Sequence, residues 1–123
     1  MNIHIITVSL VGNELVCIPD PCEVDVDGIF TLLVWRLDEA TLKNGAFVDI
    51  NDPSPGFQFD VPTPPGRFQF KNIDKTMQYI SILNLHTKKP SQNKWKYTLR
   101  VTIAGQIYET GKGKGNHPVI INR

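Results

Sequence analysis

The chain has 123 residues, of which 41% are hydrophobic and 20% charged, with a formal net charge of +1. This length suits one domain with a core of its own, and the ordinary composition excludes wholesale disorder. No apolar run approaches the roughly 18 residues that a membrane-spanning helix needs, so no membrane partner is expected.

Residues 2–10 alternate like a strand, and Gly12-Asn13 then gives a turn signal before Glu14–Ile18 returns. The N-terminus has neither a basic segment nor a small-residue cleavage site, so a cytoplasmic protein without a signal peptide is expected. Pro19-Asp20-Pro21 cannot sit inside a central ladder, because proline has no N–H to donate. Glu23–Val26 is short and alternating, with Val24 and Val26 inward, and Asp27-Gly28 turns the chain. Ile29–Leu37 is the most apolar run and reads as a central strand.

Asp38–Gly45 is a polar connection with room for one helical turn, and Ala46–Ile50 a short strand. Asn51–Gly56 and Pro62–Gly66 are loops built by proline and glycine, while Phe57–Phe59 and Phe68–Phe70 are short strands, each with both phenylalanines on one face. Thr76–Thr87 is a longer strand, and Lys88–Asn93 a polar loop.

The clearest pattern spans Lys94 to Thr110. Trp95, Tyr97, Leu99, Val101 and Ile103 alternate with Lys96, Thr98, Arg100 and Thr102, which gives one apolar and one solvated face. Ala104-Gly105 is a two-residue turn that places Gln106 opposite Ile103 and Tyr108 opposite Val101. Gly111–Asn116 is a loop, and Pro118–Asn122 closes the chain as a last strand. About nine strands with almost no helical periodicity imply an all-β fold of a single domain, an antiparallel Greek-key β-sandwich.

Cys17 and Cys22 flank the proline turn and are expected as reduced thiols, although their spacing also permits a disulfide. No second Cys or His pair completes a zinc site. Residues 1–61 hold ten acids against Arg36 and Lys43, a balance of −8, and residues 62–123 hold eleven bases against Asp74 and Glu109, a balance of +9. This split marks an acidic and a basic surface unless the two halves interleave in space.

Glu23, Asp25 and Asp27 with Gly28 imitate the first half of a calcium loop, and Asp49 or Asp52 could add an oxygen. The twelfth position, which should be a bidentate Glu, is Val34, so the expectation is a solvated strand face. Two basic loops, Lys88, Lys89, Lys94 and Lys96 around Trp95, and Lys112 and Lys114 among glycines, form a candidate anion site. Trp95 follows the core phase, which argues that it is packed rather than offered to a base. His4, His86 and His117 lie in separate segments, and Ser9, Ser54, Ser81 and Ser91 have no catalytic context. No nucleophile elbow, HExxH, P-loop or dinucleotide motif is present.

The segment Pro19 to Leu37, the Tyr97–Ile103 strand and the closing Pro-Val-Ile-Ile-Asn together resemble the DP-EP family of small bacterial proteins, with a cupredoxin-like, immunoglobulin-like frame. The resemblance implies the sandwich fold and no known activity. Blue copper needs a Cys thiolate and two His ligands. In cupredoxins the Cys and second His follow the late Tyr strand, where this chain has only His117, so no type 1 copper and no other cofactor is expected. The expected function is a non-enzymatic binding or assembly module of unknown partner, with a second copy, as a weak homo-oligomer, or a polyanion as the candidates. An anion- or nucleic-acid-binding domain using loops 88–96 and 111–115 is the alternative, and an enzyme with an unrecognised site the second.

Overall fold

A computed structural model of the chain describes residues 2–24, 31–60, 68–73, 78–84, 93–111 and 117–122. They form eleven strands and one short helix: β1 (Asn2–Val11), β2 (Glu14–Ile18), β3 (Cys22–Val24), β4 (Thr31–Leu37), α1 (Glu39–Leu42), β5 (Gly45–Phe47), β6 (Phe57–Phe59), β7 (Phe68–Ile73), β8 (Tyr79–Asn84), β9 (Asn93–Ile103), β10 (Gln106–Glu109) and β11 (Val119–Asn122). The fold is all-β, with two strands more than the rough count from the sequence. No helix among these residues is long and apolar enough to cross a membrane.

The strands form two sheets. One has the order β2-β1-β4-β8-β7, and the other runs β10-β9-β11-β3, with β5 and β6 also paired to β9. Both sheets are mixed, which corrects the antiparallel expectation. β4 lies parallel to β1, and β3 lies parallel to β11. Alternation of apolar and polar residues reveals a strand's faces but not the direction of a distant neighbour, so these pairings leave no local trace.

β9 holds its sheet together by bonding along both edges. Its first residues pair with β11 and its last with β10, while β6 and β5 take the opposite edge. The β9–β10 register is the expected one, Ile103 facing Gln106 and Val101 facing Tyr108. Ala104 and Gly105 both have positive φ, at 51° and 81°. That is the twist a two-residue hairpin turn requires.

The core lies between the sheets. Trp95, Tyr97, Leu99 and Val101 of β9 are buried, as are Leu33, Trp35 and Leu37 of β4 and Ile6 and Val8 of β1. The Trp35 indole N–H donates to the Tyr97 hydroxyl at 3.0 Å, across the layers. The two rings meet edge to face at 5.3 Å, and Phe57 stacks on Tyr97 at 5.2 Å. At one end the Asn84 side-chain Nδ2 of β8 donates to the Asn122 side-chain Oδ1 of β11 at 2.7 Å, a second buried bridge between the sheets.

The Tyr97 hydroxyl is the acceptor that lets Trp35 be buried whole. Removing it strands an indole N–H in the core, which costs about 1–3 kcal/mol. Tyr97→Phe is therefore expected to lose that much stability in urea denaturation while keeping its secondary structure by circular dichroism. A variant as stable as the parent would show that the bond does not matter to the fold.

Candidate functional site

The outer face of the β9 sheet carries a connected cluster of polar side chains. Strand alternation sends Thr98 and Arg100 outward from β9, and register sets Gln58 of β6 opposite Thr98 and Glu109 of β10 opposite Arg100. Thr98 Oγ1 donates to Asp60 Oδ1 at 2.7 Å, and His117 Nδ1 lies 3.1 Å from Thr98 Oγ1 and 3.3 Å from Asp60 Oδ2. The His117 ring packs so closely on Gly111 that a Cβ there would sit 2.6 Å from it. Gly111 also has φ +79°, so both space and backbone call for glycine.

An acid, an imidazole and a hydroxyl together invite comparison with a hydrolytic triad, but the proton inventory differs. The single hydroxyl proton of Thr98 goes to Asp60, so Nδ1 must donate its proton to the oxygens beside it. A general base must instead accept the nucleophile's proton and be oriented through its other ring nitrogen. The cluster is a clamp that holds His117 and the end of β6 onto β9. Arg100 is equally committed, with Nε to Glu109 Oε2, and Nη1 to Pro55 O and Gln58 Oε1, each at 3.0 Å.

Thr98 corrects the expectation of a solvated face, since it is only 5% exposed. The period of β9 assigns its side chain to the outer face but does not reveal that His117 comes to lie over it. His117, Asp60 and Thr98 are far apart in sequence, and no motif links them.

The candidate anion residues fall otherwise. Lys94 and Lys96 are exposed on β9, while Trp95 points inward from between them. Its buried Nε1 has no hydrogen-bond partner among the described residues. Its ring is therefore not offered to a base alongside the lysines. Lys88, Lys89, Lys112 and Lys114 lie outside the described residues, as do Asp25 and Asp27 of the calcium candidate. Glu23 is exposed on β3, and no group of three metal-ligating side chains occurs among the described residues. Asp49 Oδ1 and Asp52 Oδ1 accept the N–H groups of Asn51 and Ser54, which closes their loop. The acidic and basic halves interleave among these strands: β9 pairs with β5 and β6, β11 with β3, and β8 with β4.

Cys17 and Cys22 are free and buried. Burial pushes the Cys17 thiol up to about 12, with a smaller opposing contribution from the Tyr97 hydroxyl. Burial also pushes Cys22 up, to about 11. Cys17 lines a groove of about 310 Å³ with Asp20 and Thr110, but a thiol held so far from ionisation is no nucleophile at neutral pH.

The outer face of the five-stranded sheet differs in character. Register aligns Ile3 with Leu32 and Ile5 with Val34, and sets Thr7 between Ile18 and Arg36. Ile3 is 59% exposed, Ile5 48% and Ile18 62%, while Leu32 and Val34 are half-buried. Arg36 then faces Tyr79 of β8. Here the apolar rows meet a groove of about 470 Å³ lined by Thr7, Arg36, Leu37, Asp38, Glu39, Gln78 and Tyr79. Asp38 caps α1, accepting the Thr41 N–H at 2.8 Å, and its interaction with Thr41 holds its carboxyl below the usual range. The sequence does carry a signal for this face, because β1 and β4 have apolar residues in both phases of the alternation.

No protein-family model matches the chain, and no curated protein or solved structure matches it.

Two outcomes follow. Thr98→Asp sets a second carboxylate against Asp60 and is expected to lose about 1–3 kcal/mol in urea denaturation, whereas Lys96→Asp on the same face should stay near the half kcal/mol of a surface change. Equal losses would contradict the clamp. Both thiols are expected to ignore a disulfide reagent at pH 8 until the chain unfolds. Their folded-state values lie above 9.0, so the stability they lend is full below pH 9.0 and declines as pH rises through about 11 and about 12. A thiol titrating freely in the native protein would contradict that burial.

Proposed function

We propose that this domain is a non-enzymatic binding or assembly module, and that its contact surface is the outer face of the five-stranded sheet. One observation carries the reading: Ile3 and Ile5 stand exposed beside Leu32 and Val34, and Ile18 stands exposed on the neighbouring strand opposite Thr7. Fully burying such a side chain is worth about 1.5–3 kcal/mol, so leaving several together in water forgoes stability that a partner recovers. Contiguous exposed apolar surface marks an interaction site far more often than scattered apolar residues do. The polar cluster on the other sheet supports the reading by contrast, because its hydrogen bonds are spent within the domain.

The frame we propose is a cupredoxin-like Greek-key sandwich of the DP-EP kind without type 1 copper. Support comes from the way the chain passes between the sheets before β4 returns beside β1. His117, at the late position where cupredoxins place a copper ligand, is held by Asp60 and Thr98, and both cysteines are buried in the core.

The test is a dye that fluoresces on apolar surface, bis-ANS, titrated against native protein at nanomolar concentration. Binding is expected, and the paired substitutions Ile3→Lys and Ile5→Lys should abolish it while leaving the melting temperature within a few degrees. Native protein that binds no dye, or binding that survives both substitutions, would overturn the assignment.

A further inference from the structure

The groove beside the apolar rows carries two exposed formal charges. Arg36 is exposed at the end of β4, and Glu39 is exposed in the first turn of α1. Neither has an ion-pair partner among the described residues. Asp38, between them in sequence, is occupied as the cap of α1. Tyr79, 40% exposed, lines the same groove. The surface is thus an apolar field ending in a groove lined by one base and one acid, neither of them paired among the described residues. Tyrosine and arginine are the residues that most often anchor interfaces.

We propose that the occupant of this face is a second copy of the chain, packed sheet on sheet about a two-fold axis, with each Arg36 paired to the partner's Glu39. The proposal rests on the reading of this face as the contact surface. Its ground is self-complementarity. An unrelated partner would have to present an acid opposite Arg36, a base opposite Glu39 and an apolar strip at the right offset. A second copy meets all three conditions without further specification. In a two-fold contact, residue i of one copy meets residue j of the other and j meets i. An axis lying in the contact plane, along the apolar rows and between Arg36 and Glu39, sets each guanidinium over the opposite carboxylate and folds Ile3, Ile5, Leu32 and Val34 onto their counterparts. Two sheets packed face to face stand about 10 Å apart, which these side chains are the right size to fill.

The geometry predicts a specific pattern of charge reversals. Arg36→Glu alone puts acid against acid at both crossings of the dimer, and Glu39→Arg alone puts base against base. Each single variant is expected to weaken the dimer roughly tenfold or more, since opposed like charges are costly at an interface. Mixing the two variants restores opposite charges at both crossings. The same holds for the double variant, Arg36→Glu with Glu39→Arg, on its own.

Sedimentation velocity over a range of micromolar concentrations provides the readout. Expected are a dimer for the parent chain, a monomer for Ile3→Lys with Ile5→Lys, weakened dimers for the single reversals, and recovery in both the mixture and the double variant. Bis-ANS bound per chain should fall as the parent protein dimerises and covers the face. A parent that stays monomeric while binding the dye would overturn the second-copy proposal and leave the contact surface standing. A monomer that binds no dye would overturn both. A dimer that survives Ile3→Lys with Ile5→Lys, or single reversals that do not recover on mixing, would show that the copies meet elsewhere or without the crosswise pairs.

Discussion

The bond from the Trp35 indole to the Tyr97 hydroxyl fixes how the two sheets meet. Trp35 is the largest of the fully buried side chains, and its N–H would be an orphan in the core without an acceptor from the other layer. Tyr97 supplies that acceptor, and its ring carries Phe57 of β6 against it. Because the bond is directional, it sets the phase of β9 against β4. A slip of one residue would turn Trp95, Tyr97, Leu99 and Val101 out to solvent. Everything paired to β9 inherits that phase, since β5, β6, β10 and β11 take their register from its two edges. The clamp of Asp60, Thr98 and His117 is thus a consequence of a core contact on the opposite face of the strand.

The two outer faces then diverge. On the β9 sheet, alternation delivers Arg100, Thr98 and Gln58 to the surface, and each finds a partner within the domain. Such a network stabilises local geometry but has little hydrogen-bonding capacity left for a ligand. On the five-stranded sheet, the same alternation delivers isoleucine, leucine and valine. Water satisfies none of them, and more than half of Ile3 and of Ile18 stays exposed. The proposed contact surface is therefore the face with an unmet requirement, not the one with more recognisable chemistry.

What was readable in the sequence followed what is local. The β9–β10 register could be read because a two-residue turn with two positive φ values leaves one pairing. The inward phase of β9 could be read because its apolar residues keep one period from Trp95 to Val101. The burial of Thr98 could not, because the residues that cover it are contributed by β6 and by the segment before β11. The parallel partners of β1 and β11 could not either, since each lies many residues away. β1 and β4 mark an intermediate case. Apolar residues in both phases suggest a strand buried on both sides, as in sheets flanked by helices. This chain has one four-residue helix among its described residues and no second helical layer there to cover the outer side.

That mismatch bears on assembly. A domain is built from layers because each apolar sheet face must lie against another element. Here the five-stranded sheet carries apolar rows on both faces and, among the described residues, has one partner layer. A split of −8 and +9 along the sequence would favour open, head-to-tail contacts driven by charge if it survived folding as two sides. The pairing of β9 with β5 and β6, and of β11 with β3, instead sets strands of the two halves side by side. What remains is short-range: an apolar field with Arg36 and Glu39 at its end. The two-fold contact proposed above would close on itself. In that proposed pair each copy covers the apolar rows of the other, and among the described residues the outer face of the β9 sheet offers a committed polar network instead, so self-burial would yield a closed pair rather than a chain.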